Sequence, residues 1–403
     1  MATILFTWEL GNGLGHMMQI LPMARDLARH GHRVFCALRE LGSARRVFGE
    51  ESIQLLQAPI KTSPRVGHIS PPRTLAHILS NVGYFNEAEL AGLASAWRAM
   101  FELIRPDLIV FDHSATAMLA SRGLPARRVA IGSGFGVPTD AHPLPNLRAW
   151  EPADPARLLA DELAVLDRMN GVLRLWHQPP LSRIGQMYSD VDDTFLLTFR
   201  ELDHYPDRPA GTRYRGAWIK AEGAPPLWPD LNRSSGVGAG RRLFGYLKPF
   251  AGLPQLLANL RSLGCATLLY IENADPKLVQ QFSGPTMMFA NKRLDLSQVA
   301  AQCDLAIVHG THGTTLSMLM AGKPTLQLPL FLEQGLFASA VCRLGAALQP
   351  PLENPALIRR DLERMLSSPS FAEAARNFAA RHAGFDPGAE NEQMVARLEE
   401  LSR

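Results

Sequence analysis

The residues near the amino terminus combine three glycines with a histidine. The run GNGLGHMMQILPMARDLARHGHRV, from Gly11 to Val34, follows one short apolar stretch. After Gly15 the apolar residues recur at helical spacing, and Gly31 stands where a left-handed end of the helix is expected. His16 is therefore predicted at the start of a helix. A neutral imidazole in that position could take up a proton near ambient pH.

Two other interpretations of this turn are open. A dinucleotide-binding fingerprint has a third glycine where His16 stands, and its acidic ribose partner would be Glu40, further along than the usual ~20 residues. The sequence thus gives a nicotinamide site little support. Alternatively, the glycines make a tight turn and His16 caps the helix from a solvated position. Evidence from elsewhere in the chain is needed to choose between these interpretations and a chemical role.

A second glycine-bearing turn lies in the other half of the chain. The segment DLAIVHGTHGTTLSMLMAGKPTLQLPLFLEQGLFASAVCRLGAAL, from Asp304 to Leu348, predicts a strand, a turn, a helix, a strand and a helix. Backbone N–H groups at the start of the first helix, its dipole and the hydroxyls of Thr314 and Thr315 would suit a diphosphate. Many such turns carry Gly and Thr for packing alone, so the turn by itself does not identify a ligand.

The elements that would position these turns are buried parallel strands. Short apolar runs alternate with helical patterns, which is typical of an α/β fold with helices on both faces of a sheet. The pattern occurs twice, as TILFTW, RVFCAL, DLIVF and RRVAI, then as RRLFGYL, ATLLYI, DLAIV and PTLQLP. The chain of 403 residues also exceeds what one hydrophobic core usually serves. We therefore expect two domains.

The stretch between the two sets of strands is dense in proline and glycine, as an inter-domain connection would be. We predict an N-terminal domain over residues 1–205, a linker over 206–241 and a C-terminal domain over 242–385. Residues 386–403 form a terminal helix that could pack back on the N-terminal domain. Residues 132–180, rich in Pro, His and Trp, predict an irregular, elaborated surface over a cleft.

Composition excludes several classes of protein. The net charge of +3 comes from 41 basic and 38 acidic residues that are interspersed, so a nucleic-acid partner is not expected. The four cysteines lack C-x-x-C spacing, which argues against a disulfide framework and a structural zinc site. No apolar run reaches the ~18 residues of a membrane span, and no signal peptide is visible. We expect a cytoplasmic protein without an integral membrane segment, and peripheral membrane contact stays open.

The segment from Asp304 to Leu348 resembles the nucleotide-sugar signature of family 1 glycosyltransferases. These are two-domain GT-B enzymes that include plant and macrolide UDP-glycosyltransferases, with the bacterial glycosyltransferase that forms lipid II as a more distant relative. The matching residues are His309, Gly310, Gly313, Thr314, Thr315, Ala321 to Pro324, Pro329, Glu333, Gln334, Leu344 and Gly345. The resemblance implies a GT-B fold, in which two Rossmann-like, doubly wound parallel-sheet domains face a cleft.

The opening turn resembles the first loop of the same family, in which the histidine is the catalytic base. The resemblance gives that role to His16 and makes Asp112, at the end of PDLIVFD, the partner of the base. An aspartate there could accept the other ring N–H, fix the tautomer and stabilise the imidazolium. An alternative for Asp112 is an N-cap of the helix that starts at Ser114. Both roles are compatible in one residue.

On the donor side, the resemblance implies binding by residues in both halves. They are Gly13, Gly15, Lys248, Arg293, Leu294, His309, Gly310, Gly313, Thr314, Thr315, Glu333 and Gln334. Among them the diphosphate would contact His309 and the turn from Gly313 to Thr315. The nucleobase would lie near Arg293 and Leu294, and the sugar hydroxyls on Glu333 and Gln334. Lys248 either supplies a positive charge near the phosphates or is a solvated lysine at a strand end.

The sequence departs from the family pattern at two positions of this signature. Thr311 stands where a second glycine is usual, and Ser317 stands where relatives have a glutamate that binds the ribose. Ser317 can donate one hydrogen bond but is short and uncharged. Ribose binding is therefore the donor contact that the family resemblance supports least.

The acceptor site falls in the part of the chain least like the family. Its candidates are Phe135, Trp150, Met169 and Trp176, which suit an apolar aglycone but could equally be ordinary core residues. The D-x-D run with Asp190, Asp192 and Asp193 resembles the metal-holding motif of GT-A enzymes, but precedes a strand where a solvated turn is ordinary. No metal and no cofactor are predicted beyond a nucleotide-sugar co-substrate.

These observations predict an inverting, metal-independent glycosyltransferase. It would move a sugar from a UDP or dTDP sugar to a hydroxyl of a small or lipid-like acceptor. Two alternatives are a non-hydrolysing sugar-nucleotide epimerase, whose acid/base carboxylates are not evident, and a catalytically silent GT-B protein that assists a partner. The presence of both His16 and Asp112 favours an enzyme over the catalytically silent protein, because a silent protein has no need of this pair.

Overall fold

The computed structural model describes residues 1–49, 51–64, 66–218 and 223–403, and it divides into two units. Unit 1 consists of Met1–Phe199, Tyr205–Gly216 and Pro387–Arg403. Unit 2 consists of Arg200–His204 and Ala217–Asp386. One division, between Gly216 and Ala217, lies inside the predicted linker. The short stretch Arg200–His204, which the prediction gave to the N-terminal domain, belongs to unit 2.

Within the described residues, unit 1 contains a six-stranded parallel sheet in the order β3-β2-β1-β4-β5-β6. Its strands are β1 (Thr3–Trp8), β2 (Arg33–Leu38), β3 (Ile53–Gln57), β4 (Leu108–Asp112), β5 (Arg127–Gly132) and β6 (Asp193–Leu196). Its helices are α1 (Gly15–Arg29), α2 (Leu41–Phe48), α3 (Leu75–Leu79), α4 (Glu87–Ile104), α5 (Ala115–Ala120), α6 (Pro155–Leu175), α7 (Gln186–Ser189) and α15 (Pro387–Leu401).

The two central strands of unit 1 explain where its chemistry lies. All residues of β1 and β4 are buried, as expected of parallel strands covered by helices on both faces. The strand order reverses between them, and Trp8 pairs with Asp112 at their carboxyl ends. In open α/β sheets a ligand site forms outside the carboxyl ends of strands at such a reversal.

Unit 2 repeats this architecture with the strand order β12-β11-β10-β7-β8-β9, counted over the part of the chain that the structure describes. Its strands are β7 (Arg242–Leu247), β8 (Ala266–Ile271), β9 (Met287–Ala290), β10 (Leu305–Val308), β11 (Thr325–Gln327) and β12 (Ala347–Leu348). Its helices are α8 (Leu253–Leu263), α9 (Pro276–Phe282), α10 (Leu296–Gln302), α11 (His312–Met320), α12 (Leu332–Arg343), α13 (Pro355–Ser367) and α14 (Ser370–Arg381). Here the order reverses between β7 and β10.

The apolar runs that predict strands correspond to the central strands of both sheets, and the α/β doubly wound fold is confirmed. The sequence analysis missed β3, β9 and β12, which are short strands on the outer side of each sheet. Of the five residues of β3 only Ile53 is buried, so the run lacks the continuous apolar pattern. The region 132–180, predicted to be irregular, contains the 21-residue helix α6. In the described residues, no helix is long and apolar enough to span a membrane.

Candidate active site

The structure brings His16 and Asp112 together at the end of the unit 1 sheet. His16 is the second residue of α1, and Asp112 is the last residue of β4. The imidazole Nδ1 lies 2.9 Å from Oδ2 of Asp112, whose side chain is almost completely buried. This distance makes Nδ1 the protonated nitrogen, which donates to the carboxylate, and leaves the ring lone pair on Nε2. The N-cap position of α5 is Ser114, whose side chain makes no capping hydrogen bond, so Asp112 is not the N-cap residue of this helix.

Gly11 lies directly beside the second ring nitrogen of His16. Its φ of +80° is a conformation that residues with a Cβ adopt rarely. A Cβ at this position would also lie 2.7 Å from Nε2 of His16. The glycine turn thus shapes the space in front of Nε2. Gly13 (φ +99°) and Gly15 have nothing within 4 Å of an added Cβ, which leaves the backbone there open to a ligand.

Aromatic rings surround the His16 imidazole, and the sequence analysis did not include two of them. Trp8 stacks on His16 at a centroid distance of 5.0 Å, and its indole N–H donates to the Leu10 carbonyl. His113 meets His16 edge-on at 6.0 Å, and Phe135 lies 5.9 Å beyond it. Burial, followed by the proximity of His16 and Arg39, lowers the pKa of His113 to about 3. The His113 ring is therefore neutral. The sequence signal that could have identified His113 is its place directly after Asp112.

Glu9 supports the same edge of the sheet from inside. Its carboxylate accepts hydrogen bonds from the Thr116 backbone N–H at 2.5 Å and from the Trp97 indole at 2.7 Å. Burial raises the pKa of Glu9 to about 7, although these bonds oppose the rise. Glu9 thereby fixes the start of α5, close in sequence to Asp112. Its position after an apolar strand could have marked it for attention, but nothing in the sequence predicts its burial.

In unit 2 the HGTHGTT turn leads directly into α11, which begins at His312. The N–H of Thr315 bonds to the Thr311 carbonyl, so the N–H groups of the first three residues of the helix lie beyond its own ladder. An added Cβ at Gly313 meets nothing within 4 Å, so the backbone there is accessible. The Thr315 hydroxyl is buried and has no hydrogen-bond partner among the described residues. This end of α11 can accept an anion.

His309 has a different environment from the one expected. Its Nδ1 lies 2.6 Å from the Leu328 carbonyl, and its Nε2 accepts the backbone N–H of Lys248 at 2.8 Å. Burial lowers the pKa of His309, so the ring is neutral and protonated on Nδ1. Both nitrogens thus bind backbone, and the ring joins the ends of β10, β7 and β11. The expectation that this imidazole contacts a diphosphate is not supported by this geometry.

Gly310, Glu333 and Gln334 lie around the same turn. Gly310 has a φ of +71°, and an added Cβ would lie 2.6 Å from the Gln334 carbonyl, so the turn lies against the start of α12. Glu333 and Gln334 occupy the first turn of that helix, and the Gln334 amide oxygen accepts the Leu330 N–H at 2.8 Å. The Ser317 hydroxyl donates to the Gly313 carbonyl at 2.9 Å. Its only proton is therefore committed within α11.

Known proteins share the whole architecture. No family model matches the chain. A PGL/p-HBAD biosynthesis glycosyltransferase from Mycobacterium tuberculosis is 25% identical over 93% of this chain and 87% of its own length. The calicheamicin glycosyltransferase CalG4 is similar in structure, with a TM-score of 0.71 at 18% identity, over 99% of this chain and 98% of its own. The glycosyltransferase VinC, solved in complex with dTDP, has a TM-score of 0.66 at 14% identity, over 99% of each chain.

The chain is a glycosyltransferase of GT-B fold. The resemblance to family 1 of these enzymes, carried by the HGTHGTT segment and the opening turn, is thereby confirmed. The similarity to solved structures covers the full length and shows the fold of both units.

The four acceptor candidates of this glycosyltransferase do not share one environment. Phe135 is buried beside His113, near the His16 imidazole. Met169 is fully buried in the core of unit 1, because α6 turns this face toward α3 and α4, and it is a packing residue. Trp176 packs against that core with Arg98 over its ring. Trp150 is 59% exposed. Of the four, Phe135 is the one placed near His16.

The D-x-D carboxylates of the glycosyltransferase are paired with arginines. Asp190 pairs with Arg122, Asp192 with Arg127, and Asp193 with Arg397, at 2.7 to 2.9 Å. Ion pairs on the surface of unit 1 therefore account for these three carboxylates. In the part of the chain that the structure describes, no group of three or more His, Cys, Asp or Glu side chains could hold a metal ion.

Proposed function

We propose that the protein transfers a sugar from a nucleotide diphosphate sugar, of the UDP or dTDP class, to a hydroxyl of a small or lipid-like acceptor. The single observation that carries this proposal is the contact between His16 Nδ1 and Asp112 Oδ2. The same catalytic pairing is what the family resemblance implies. The carboxylate orients the imidazole and holds its tautomer, so Nε2 can act as a base.

The reaction proposed is a direct displacement with inversion. The acceptor oxygen forms a bond to the anomeric carbon while the bond from that carbon to the diphosphate oxygen breaks. The acceptor proton passes to Nε2 of His16, and Asp112 stabilises the imidazolium that results. The electron pair of the broken bond stays on the diphosphate. The donor sugar and the acceptor must be held in line for this step.

The start of α11 supports the donor part of the proposal. Its first N–H groups and the positive end of the helix dipole can stabilise the diphosphate as its charge grows. The unpartnered hydroxyl of Thr315 offers one more donor at the same place. The neighbour VinC was solved with dTDP, which supports a nucleotide diphosphate as the ligand of this fold. His309 is proposed as a positioning residue that keeps the loop after β7 in place, rather than as a phosphate ligand.

Replacing the proposed base tests the proposal. The variant His16→Ala should lose at least about a thousandfold in kcat, because general base catalysis contributes about 10²–10⁴ and the imidazole also orders the site. Donor affinity, measured by calorimetry, should stay within about threefold of the wild type. The control is His382→Ala, which alters an imidazole in unit 2 that contacts Glu201. Unchanged turnover in His16→Ala would remove the base from the mechanism.

A further inference from the structure

Four polar side chains meet at the carboxyl ends of β7, β8 and β9 in unit 2. Tyr246 is near the end of β7, Lys248 follows that strand, Glu272 follows β8, and Arg293 follows β9. The register pairs Leu247 with Ile271, so Lys248 and Glu272 leave the sheet side by side. This group, the Glu272 cluster, lies at the edge of the sheet where ligands of α/β folds bind.

Glu272 is the centre of the cluster. The Tyr246 hydroxyl donates to its Oε1 at 2.5 Å. Lys248 Nζ lies 3.6 Å from Oε2, and Arg293 Nη2 lies 3.6 Å from Oε1. A carboxylate has about four lone-pair positions, so these contacts leave capacity for further donors. The carboxylate is 23% exposed and therefore reachable by a ligand.

The chain has a reason to need an acceptor here. The family resemblance implies a glutamate for the ribose at the position of Ser317. Ser317 is uncharged and has one oxygen, so it cannot offer the charged, two-oxygen acceptor of a glutamate, and its hydroxyl is bonded to the Gly313 carbonyl. Each ribose hydroxyl of a nucleotide is a donor that a carboxylate accepts well. In the described part of unit 2, the Glu272 carboxylate lies beside Lys248, which follows β7, and beside Arg293, which follows β9.

The order of groups in a nucleotide points to the same residue. The ribose is bonded to the base on one side and to the diphosphate on the other. The family resemblance implies a base near Arg293, and the proposed function puts the diphosphate at the start of α11, with Lys248 as a candidate contact. Glu272 contacts both cationic side chains, so its carboxylate lies between the places expected for these two ends.

We propose that Glu272 binds the ribose hydroxyls of the nucleotide donor and replaces the glutamate missing at Ser317. This inference rests on the proposed function, since it assumes a nucleotide donor. Tyr246 holds the carboxylate through its hydroxyl and is a positioning residue. Lys248 and Arg293 balance the charge of Glu272 when no donor is bound and can turn to the phosphates and the base when it is.

The test measures binding of UDP and dTDP, each with its analogue lacking one ribose hydroxyl, 2′-deoxy-UDP and 3′-deoxy-dTDP. Calorimetry compares the wild type, Glu272→Ala and Glu272→Gln. In the wild type, loss of the recognised hydroxyl should weaken binding about 10- to 100-fold, as expected for a hydrogen bond to a charged group. In Glu272→Ala the same change should weaken binding less than about threefold, and Glu272→Gln should be intermediate. Glu363→Ala, which removes a carboxylate paired with Arg359 on α13, should behave as the wild type.

The outcomes separate the two proposals. If the wild type binds neither UDP nor dTDP, the proposed function fails and this inference fails with it. If the wild type binds a nucleotide but Glu272→Ala keeps the full effect of the ribose hydroxyl, this inference alone is overturned. It is also overturned if Glu272→Ala tightens every nucleotide and inorganic pyrophosphate by the same factor, because Glu272 would then act only as a counter-charge. Circular dichroism of both variants shows that unit 2 is folded.

Discussion

At the scale of single residues, the partners of each imidazole decide what its ring can do. His16 donates through Nδ1 to a buried carboxylate, so protonation at Nε2 creates an imidazolium with a counter-charge already in place. His309 has backbone partners on both nitrogens and a lowered pKa, so protonation would break a hydrogen bond. One histidine can therefore exchange protons, whereas the other holds loops together.

The carboxylate partner of His16 gives the first prediction. Asp112→Asn should lower kcat about 100- to 10,000-fold, because an amide cannot stabilise the imidazolium and does not fix the tautomer. The KM for the donor should change little, since Asp112 is not among the donor residues. Steady-state kinetics with saturating donor checks this. Asp190→Asn, which alters a carboxylate paired with Arg122, is the matched control and should keep wild-type kcat. Equal rates in Asp112→Asn and wild type would contradict the proposed pair.

Glu9 gives a prediction on pH and stability. Its pKa in the folded protein is raised to about 7, above the value of 4.5 expected when unfolded. The folded state therefore binds the proton more tightly, and its stability falls as the pH rises from about 4.5 to about 7. The free energy of unfolding should drop by about 3 kcal/mol over this range relative to Glu9→Gln, which does not titrate. Urea unfolding at several pH values measures it, and parallel curves for both proteins would refute it.

At the scale of elements, α1 has a left-handed glycine at each end, and the two glycines serve different purposes. Gly11 precedes the helix and Gly31 follows it, with φ of +80° and +87°. An added Cβ at Gly31 meets nothing within 4 Å, whereas one at Gly11 meets the His16 ring. A side chain would thus strain the backbone at both positions, but it would meet the His16 ring only at Gly11.

This pair permits a matched experiment. Gly11→Ala and Gly31→Ala should each lower stability by about 1 kcal/mol through the positive φ. Only Gly11→Ala should also reduce kcat, by about 100-fold, because the displaced imidazole no longer meets the acceptor in line. Thermal unfolding and kinetics on the same preparations test both statements. A similar loss of kcat in the two variants would mean that strain, and not the contact with His16, is responsible.

Helix α15 is the last element in sequence and packs on α1, the first helix of unit 1. Leu398 is fully buried there, and Glu399 accepts hydrogen bonds from His30 and His32 just after α1. Leu398→Ala should therefore destabilise unit 1 by about 2 to 4 kcal/mol. Glu400→Gln, at an exposed position of the same helix, should change stability by less than about 0.5 kcal/mol. Denaturant unfolding distinguishes these values, and equal small effects would show that α15 does not hold unit 1 together.

At the scale of the whole molecule, two sheets with the same pattern of reversal carry different chemistry. Unit 1 holds the carboxylate and imidazole pair, and unit 2 holds a helix start suited to an anion. A ligand that binds only the folded state raises the unfolding temperature. A nucleotide should therefore raise the transition that includes unit 2.

In a thermal shift assay, UDP or dTDP at about 100 times its Kd should raise the unfolding temperature by about 5 °C or more. Thr315→Val replaces the buried, unpartnered hydroxyl with a methyl group, so the variant should be at least as stable as the wild type without ligand. Its shift with the same nucleotide should be smaller, since one donor to the phosphates is lost. A shift as large as that of the wild type would exclude Thr315 from the phosphate site.

The sequence by itself determined the two α/β units and the residues of both turns. Strands buried on both faces appear as continuous apolar runs, and glycine turns into helices appear at fixed spacing, so both signals are local. The pairing of His16 with Asp112 was expected from the family resemblance, and the contact between their side chains agrees with it. The short outer strands and α6 were missed, since half-exposed positions weaken the periodic pattern.

Only the tertiary structure decided which polar atoms are already occupied. The backbone partners of His309, the burial of Glu9 and the core position of Met169 all depend on groups far apart in the chain or on the packing of a helix. The contacts of Glu272 with Lys248 and Arg293 arise in the same way. The type of a residue tells which hydrogen bonds its side chain can donate or accept. Its actual partners are decided by the fold, because the sheet brings together strand ends that are far apart in the sequence.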